Sequence, residues 1–377
     1  MSVSVGHIVS SIHDWAPKES ALSYDNVGLQ IGRREAPVVS GLVALDLTPQ
    51  IVQEAIEKGA NVIVTHHPVI FKPISHVTDT TLVSSMALTL AEHRIALIAA
   101  HTNLDAAREG VSFHLAKTLG LGNIDFLEGM EDVVRKLTVF VPPEFAEAVR
   151  NAAHEAGGGQ IGAYSDCSFS VGGTGQFRPT GSAKPFIGTT GGPIERLHEV
   201  RIEMVVESWK INEVLSAIKK AHPYEEVAYD VTSVSGPSRN VGIGAVGNLP
   251  APVSLAQFLL KSAVALSTEA LRYAGNLEQT ISRVAVCGGS GGDFIPAAIR
   301  SGADAYVTGD LSYHRFFDVL DGQGLAKMAL IDAGHYETEQ GTEDLLLDHL
   351  KRSFDSIEWS KTKFRSSPSH IWTKKQS

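Results

Sequence analysis

Apolar runs alternate with amphipathic stretches through the first third of the chain. Continuous apolar and β-branched residues in Val39 to Thr48, Ala60 to His67 and Arg94 to Asp105 predict buried strands. Between the first two, "PQIVQEAIEKG" (Pro49 to Gly59) has Pro in its first turn and Gly at its end, which predicts a helix. Strands that are apolar on both faces and separated by helices indicate a largely parallel sheet covered on both faces.

The same succession of strand and helix returns near the C-terminus, in residues 282–339. There "AIRSGADAYVTGD" (Ala298 to Asp310) aligns with "AIEKGANVIVTHH" (Ala55 to His67), and "ALIDAGHYETE" (Ala329 to Glu339) resembles "ALIAAHTNLDA" (Ala96 to Ala106). The shared Ala-Ile-x-x-Gly-Ala and Val-Thr at matching offsets favour an internal duplication. A duplicated unit would place both sets of strand ends around one crevice, where open parallel sheets bind ligands.

A different pattern separates the two copies. Residues 136–234 read as strand, helix, a stretch rich in Gly, Ser and Thr, strand, helix and strand. The Gly-rich middle is either loop or short antiparallel strands. We therefore predict an α/β protein with a duplicated three-layer α/β/α core, formed by residues 1–130 and 235–377, and an inserted α+β domain of residues 136–234.

Composition and charge exclude several classes of protein. The 377-residue chain has a net charge of -10, which argues against a large phosphate-binding surface and hence against nucleic-acid binding. No apolar run reaches the roughly 18–20 residues that span a membrane, and the amphipathic start of the chain (Val5 to Trp15) does not resemble a signal peptide. Cys167 and Cys287 are far apart, so we expect reduced thiols and a cytoplasmic protein.

Histidines and carboxylates follow three of the predicted strands. His66 and His67 are adjacent at a strand end, where neighbouring side chains can both reach one centre. Two pairs with i, i+4 spacing, which puts both side chains on one face of a helical turn, follow two other strands: His101 with Asp105, and His335 with Glu339. A solvated strand end would explain one such group. Three groups at the expected mouth of a parallel sheet predict a metal site.

The number of candidate ligands indicates how many ions the site holds. There are five, with His101 as a sixth: His66, His67, Asp105, His335 and Glu339. One catalytic zinc needs three protein ligands, whereas five or six ligands suit two ions. We expect two divalent ions, zinc first, with manganese, iron or cobalt as alternatives. The lack of cysteine ligands favours a catalytic over a structural site.

Three further motifs have more than one interpretation. "CGGSGGD" (Cys287 to Asp293) favours a tight strand-to-helix turn, with contact to an anion as the alternative. Asp310 aligns with His67 in the repeat, so it either lines the same crevice or caps a helix. "HPYEEVAYD" (His222 to Asp230) favours a turn and edge strand of the insert over a second metal site.

Several motifs, in this order, resemble the family of GTP cyclohydrolase 1 type 2 homologs, also called the Nif-three-like proteins. They are "SYDNVGLQIG", "ALDLTP", "VTHHPVIF", "AAHTNLDAA", "VAVCGGSGG" and "DAGHYETE". The resemblance implies a dinuclear centre on the five ligands above, with Glu339 as the bridge and His101 close to the metals. It also implies a ring-shaped homohexamer whose metal sites face an internal cavity. The insert is similar to the CutA and PII-like ferredoxin-type fold, mainly through "HPYEEVAYD".

The expected activity is that of a metal-dependent hydrolase acting on a small molecule. An activated water would attack an electrophilic carbon or phosphorus, and His101 or His314 would donate a proton. The family name implies GTP as substrate, with opening of its imidazole ring and loss of formate. The alternative is a non-enzymatic metal-binding scaffold or regulatory protein whose insert senses a ligand or binds a partner.

Overall fold

The computed structural model of this protein describes residues 2–370. These residues form two compact units. The larger unit runs to Glu128 and resumes at Val241, and the smaller unit is Gly129–Asn240. No helix in the described part of the chain is long and apolar enough to cross a membrane.

The helices and strands follow in three segments of the chain. The first segment contains α1 (Val5–Trp15), β1 (Gly28–Ile31), β2 (Ser40–Ala44), α2 (Pro49–Glu57), β3 (Val62–Thr65), α3 (Leu82–Glu92), β4 (Ala96–Ala99), α4 (Thr102–Asp105), α5 (Val111–Thr118) and β5 (Gly122–Gly129). The smaller unit contains β6 (Val134–Val141), α6 (Ala146–Glu155), β7 (Phe169–Phe177), β8 (Glu195–Glu207), α7 (Ile211–Ala221) and β9 (Tyr229–Ser233). The last segment contains β10 (Gly242–Ser254), α8 (Leu255–Ala265), β11 (Arg272–Ala274), β12 (Thr280–Ser290), α9 (Ile295–Arg300), β13 (Ala305–Gly309), β14 (Ala329–Asp332), α10 (His335–Glu339), α11 (Thr342–Ser353) and β15 (Glu358–Lys361).

Four strands of each sheet in the larger unit share one arrangement, an antiparallel edge strand followed by three parallel strands. The first has the order β1-β4-β3-β2-β15, with β1 antiparallel to β4 and the other pairs parallel. The second has the order β11-β14-β13-β12-β10-β5, with β12, β13 and β14 parallel and β11 antiparallel to β14. Ala100 N–H donates to Thr65 at 2.9 Å, and Ala333 N–H donates to Thr308 at 2.8 Å, at aligned positions of the two copies. This match agrees with the predicted internal duplication.

Helices cover the first sheet on both faces. On β3, Val62 and Val64 share a buried core with residues of α1 and α11, whereas Ile63 shares another with residues of α2 and α3. Because successive side chains of a strand point to opposite faces, these two cores lie on opposite sides of the sheet. The α2 helix begins at Pro49, as predicted, and the Thr48 side chain accepts a hydrogen bond at its N-terminus.

The smaller unit is an antiparallel sheet of order β7-β8-β6-β9 with two helices, α6 and α7. Val149 and Ile218 on these helices are fully buried in the same core as strand residues such as Leu137 and Ile202. Its element order is that of the split β-α-β motif. Part of the Gly-rich stretch forms a strand, β7, and the segment that follows "HPYEE" is the edge strand β9.

Candidate metal centre

The ends of three parallel strands deliver the candidate ligands, all within the larger unit. His66 and His67 follow β3 directly, and His101 precedes α4, whose last residue is Asp105. The third group lies on α10, which starts at His335 and ends at Glu339 after β14. The neighbouring parallel strands β3 and β4 end at the same edge of the first sheet, and the third group, which follows β14 of the second sheet, meets the other two there.

The structure brings these side chains into three overlapping groups, in each of which the ligand atoms lie within 4.8 Å of one another. The groups are His66 with His67 and His101, His67 with His335 and Glu339, and His66 with Asp105 and Glu339. Glu339 belongs to two of them. All six histidines and carboxylates that the sequence analysis singled out at strand ends are therefore close together.

The two oxygens of Glu339 face different partners. Its Oε2 lies 3.0 Å from Nε2 of both His67 and His335, and its Oε1 lies 3.8 Å from Nε2 of His66. Oδ1 of Asp105 is 3.7 Å from the same His66 nitrogen.

Several of these ligand atoms are buried without a hydrogen bond. Asp105 Oδ1 and His66 Nε2 are inaccessible to solvent and have no hydrogen-bond partner among the described residues, and Glu339 Oε2 is also inaccessible and faces the two imidazole nitrogens 3.0 Å away. Buried polar atoms are normally satisfied, and each unsatisfied one needs an explanation. Converging imidazole nitrogens and carboxylate oxygens are ligands for Zn, Mn, Fe or Co, so this set fits one or more divalent cations.

The Nδ1 atom of every histidine in the cluster is held by an acceptor. The pairs are His66 with the Ala100 carbonyl at 2.7 Å, His67 with Asp46 at 2.7 Å, His101 with Asp25 at 2.9 Å, and His335 with Asp310 at 2.7 Å. With Nδ1 donating its proton to that acceptor, Nε2 is the nitrogen left for the shared centre. Metal-binding histidines are commonly oriented in this way.

Sequence reasoning missed two of these orienting carboxylates. Asp46 lies two residues past the end of β2, and Asp25 lies in the "SYDNVG" segment before β1. Both stand in motifs that carried the family resemblance, but neither has a histidine nearby in sequence. Asp310, which was predicted either to line the crevice or to cap a helix, orients His335 and has a positive φ of 55°.

The surrounding charges separate the protonation behaviour of the histidines. Burial opposes charge on His67, but the Asp46 and Glu339 carboxylates outweigh it and raise the pKa of His67 to about 10. Burial also opposes charge on His335, and Glu339 with Asp310 raises its pKa to about 9. Full burial lowers the pKa of His66. The protons held by the first two are therefore the ones that a bound cation must replace.

The carboxylates are perturbed in opposite directions. Burial, and then the charge of Glu339, raise the pKa of Asp105 well above its ordinary value. Burial also opposes ionisation of Glu339, but the imidazoles of His335, His66 and His67 hold its pKa well below the usual range. Outside the cluster, burial of Asp25 is outweighed by its hydrogen bonds with His101 and Thr102, which lower its pKa to about 2.

The Gly-rich turn allows the backbone to approach Glu339. A Cβ on Gly289 would lie 2.2 Å from Glu339 Oε1, and the φ of 60° at this residue is itself unfavourable for other side chains. The N–H groups of Gly289 and Gly291 donate to the hydroxyls of Thr338 and Thr308. These donors are already used, so the geometry favours close packing over anion contact for this motif.

A cavity of about 640 Å³ opens beside the cluster. It is lined by His67, His101 and His335, with the Phe71 ring 6.3 Å from that of His101. Arg272 and Arg365 also line the cavity, and each is paired with a carboxylate that lines it too, Asp332 and Glu337 respectively.

His314 lies elsewhere. It is exposed, it is not among the described residues that line this cavity, and its ring contacts are with Tyr313 and Phe317. The structure therefore brings His101, but not His314, to the candidate ligands.

Comparison with known proteins gives matches over nearly the whole chain. Residues 3–368 match the family model of Duf34/NIF3 (NGG1p interacting factor 3). A Bacillus subtilis protein named GTP cyclohydrolase 1 type 2 homolog is 40% identical over 357 residues, which is 94% of this chain and 93% of that protein. A solved Bacillus cereus protein related to NIF3 superposes with a TM-score of 0.83 at 36% identity, over 99% of this chain and 100% of that chain. A solved Staphylococcus aureus protein gives a TM-score of 0.76 at 29% identity, over 98% and 99%.

Proposed function

The chain belongs to the Duf34/NIF3 family, and from that premise we propose that it is a dinuclear metal-dependent hydrolase with GTP cyclohydrolase-like activity. The observation that carries the proposal is the pair of ligand groups that share Glu339. A carboxylate whose two oxygens face two different sets of ligands has the arrangement of a bridging ligand.

The residues divide into two sets of metal ligands. His66, Asp105 and Glu339 would hold one ion, and His67, His335 and Glu339 would hold the other. Zinc is the first expectation, because imidazole with carboxylate is a common zinc ligand set, and manganese, iron or cobalt would also fit. The fixed Nδ1 hydrogen bonds support this division, since they leave Nε2 of each histidine for coordination.

Bound divalent ions supply Lewis-acid polarisation and lower the pKa of a water molecule, which is the chemistry that a hydrolase needs. Among the protein groups, we assign proton transfer to His101. Asp25 fixes its Nδ1 at 2.9 Å, and its ring lies 5.2 and 5.3 Å from those of His66 and His67. Its opposite nitrogen can therefore hold or donate a proton beside the centre.

The cavity supports a substrate of nucleotide size. A volume of about 640 Å³ lies within the ordinary range for small-molecule sites, roughly 300–1,000 Å³. Arg272 and Arg365 are the candidate contacts for phosphate groups, which would compete with the carboxylates now paired with them, and Phe71 supplies an aromatic surface beside His101. We propose hydrolytic opening of the purine imidazole ring with release of formate, by analogy with the name of the Bacillus subtilis relative.

The test is formate release from GTP by the purified protein, with bound zinc measured on the same sample. Glu339→Gln should abolish turnover and lower metal content, because it removes the shared charged ligand. The matched control is Glu92→Gln, which makes the same change at an exposed position near the end of α3 and should leave both readouts unchanged. His101→Gln should reduce turnover with metal retained, and His314→Gln tests the sequence prediction for that residue.

Fully loaded protein that releases no formate would refute the GTP reaction. If the loaded protein also hydrolyses no phosphoester, that result would favour the alternative, a non-enzymatic metal-binding scaffold. A protein that binds no divalent ion would refute the dinuclear centre itself.

We also propose a cytoplasmic homohexamer with a CutA/PII-like insert, following the family resemblance. Two observations support parts of this proposal. Leu260 and Val264, one turn apart on α8, are 71% and 81% exposed, so they form an apolar spot that a contact between copies would bury. The split β-α-β order of the smaller unit suits a ferredoxin-type insert. Light scattering of the wild type and of Leu260→Glu would test the assembly.

A further inference from the structure

A second pocket lies within the smaller unit, formed by the "HPYEEVAYD" segment that the proposed function leaves unused. Its volume is about 300 Å³. Tyr224, Glu225 and Glu226 of that segment line it together with Phe177 at the end of β7, Glu199 in β8, and Phe186 in the connection between these strands.

Three aromatic rings form one side of this pocket. The Tyr224 ring centroid lies 6.0 Å from that of Phe177 and 6.2 Å from that of Phe186. The Tyr224 hydroxyl donates to Glu199 Oε1 at 3.2 Å, which holds the ring in place. Phe186 nevertheless remains 53% exposed, so its apolar surface is open to a ligand.

The charged side chains that line the pocket are all negative, although Lys184, whose backbone N–H donates to Glu225, stands beside it. Glu199, Glu225 and Glu226 line it, and no lysine or arginine is among its described lining residues. The neighbouring Arg196 donates to the Gln176 side chain. A pocket with carboxylates and aromatic faces attracts cations and disfavours anions.

The arrangement fits an organic cation better than a metal ion. The three carboxylates are not among the described groups whose ligand atoms converge within 4.8 Å, in contrast to the metal centre. The centroids of the Phe177 and Tyr224 rings lie 6.0 Å apart. One cation could therefore lie about 5 Å from both centroids, within the roughly 6 Å range of cation–π attraction. We propose that this pocket binds a small organic cation of the quaternary ammonium class.

The test uses the full chain and two probes of nearly equal shape, choline and its neutral carbon isostere 3,3-dimethylbutan-1-ol. Binding is measured by calorimetry and by ligand-observed NMR. We expect choline to bind at least about tenfold more tightly than the isostere, because only choline has the charge that carboxylates and aromatic faces attract. Equal affinity for the two probes, or no detectable binding of choline, would overturn the proposal.

Variants locate the site without removing the fold. Glu199→Gln and Phe177→Leu keep the size of the pocket but remove a charge and an aromatic face, so each should weaken choline binding about three- to tenfold. Glu213→Gln, an exposed change on α7, is the matched control and should bind choline like the wild type. Choline binding that survives both pocket variants unchanged would place the ligand elsewhere and overturn the assignment.

Discussion

Replacing Asp46 with alanine tests whether the orientation of one histidine determines the metal affinity of the proposed centre. Asp46 Oδ1 accepts from Nδ1 of His67 at 2.7 Å, and its Oδ2 accepts from the Ser366 hydroxyl at 2.6 Å. Without the carboxylate, the His67 ring loses the acceptor that fixes its tautomer. The ring can then adopt other tautomers and orientations, in which Nε2 does not face Glu339 as a free ligand atom.

The size of the effect follows from the lost hydrogen bond. A hydrogen bond to a charged group contributes about 1.5–3 kcal/mol. Since 1.4 kcal/mol corresponds to a factor of ten, and the same bond is present without metal, the loss amounts to at most about 10- to 100-fold in affinity, the range typical of lost orienting partners. It falls on the ligand group of His67, His335 and Glu339, whereas the group of His66, Asp105 and Glu339 keeps its orienting partners. We therefore expect one weakened zinc site and one of wild-type affinity.

A zinc titration in competition with a chromophoric chelator, at constant pH, resolves the two affinities. Circular dichroism of the same samples reports whether the variant is folded. Asp46→Asn, which keeps an acceptor but removes the charge, should fall between the wild type and the alanine variant. Asp344→Ala removes an exposed carboxylate paired with Lys361 and is the matched control. Two unchanged sites, or two equally weakened sites, would refute the reasoning.

Three further predictions concern the same unit. Gly289→Ala should lose metal, because the new Cβ would meet Glu339. Gly302→Ala, which has a similar φ of 71° but open space around it, should lose only about 1 kcal/mol of stability and keep its metal. Thermal melts and metal analysis compare the two variants, and equal metal loss would contradict the steric argument. The pKa of Asp25 is lowered from 3.8 to about 2, so the stability that this carboxylate contributes is present above pH 3.8 and is lost as the pH falls through about 2. Acid unfolding of Asp25→Asn should lack this loss of stability. Identical pH profiles for the variant and the wild type would contradict the assignment. Adding a strong chelator to the zinc-loaded protein should lower the melting temperature, and excess zinc should restore it, because a ligand that binds only the folded state stabilises that state. A melting temperature that does not respond to either addition would contradict a metal-linked fold.

The ligands were predictable from the sequence because each follows a recognisable strand. The apolar run before His66 and the i, i+4 spacing of His335 and Glu339 are local patterns, and the internal duplication predicted that both sets of strand ends surround one crevice. The orienting partners were not predictable in this way. Asp46 and His67 are 21 residues apart, and Asp25 and His101 are 76 apart, so their pairing depends on the tertiary fold.

Two other outcomes depend on packing that periodicity does not encode. His314 follows Asp310 closely in sequence, but a 3₁₀ turn over Tyr313–Phe317 leaves it exposed. Phe177 and Tyr224 of the aromatic pocket are in contact in space but are separated in sequence by the strand β8 and the helix α7. Phe177 also lies in the stretch rich in Gly and Ser, whose pattern did not indicate a pocket. Both cases required side-chain positions in space.

The interleaving of the two segments of the larger unit has a consequence for biosynthesis. His335 is 268 residues after His67, and β15, which completes the first sheet beside β2, comes later still. At roughly 5–20 residues per second, a ribosome needs about 13–54 s to make that stretch. During this interval the nascent chain presents His66 and His67 without the glutamate they share. The two ligand groups that share Glu339 are therefore incomplete until the chain has been made through that residue, so the proposed dinuclear centre cannot form on a shorter nascent chain.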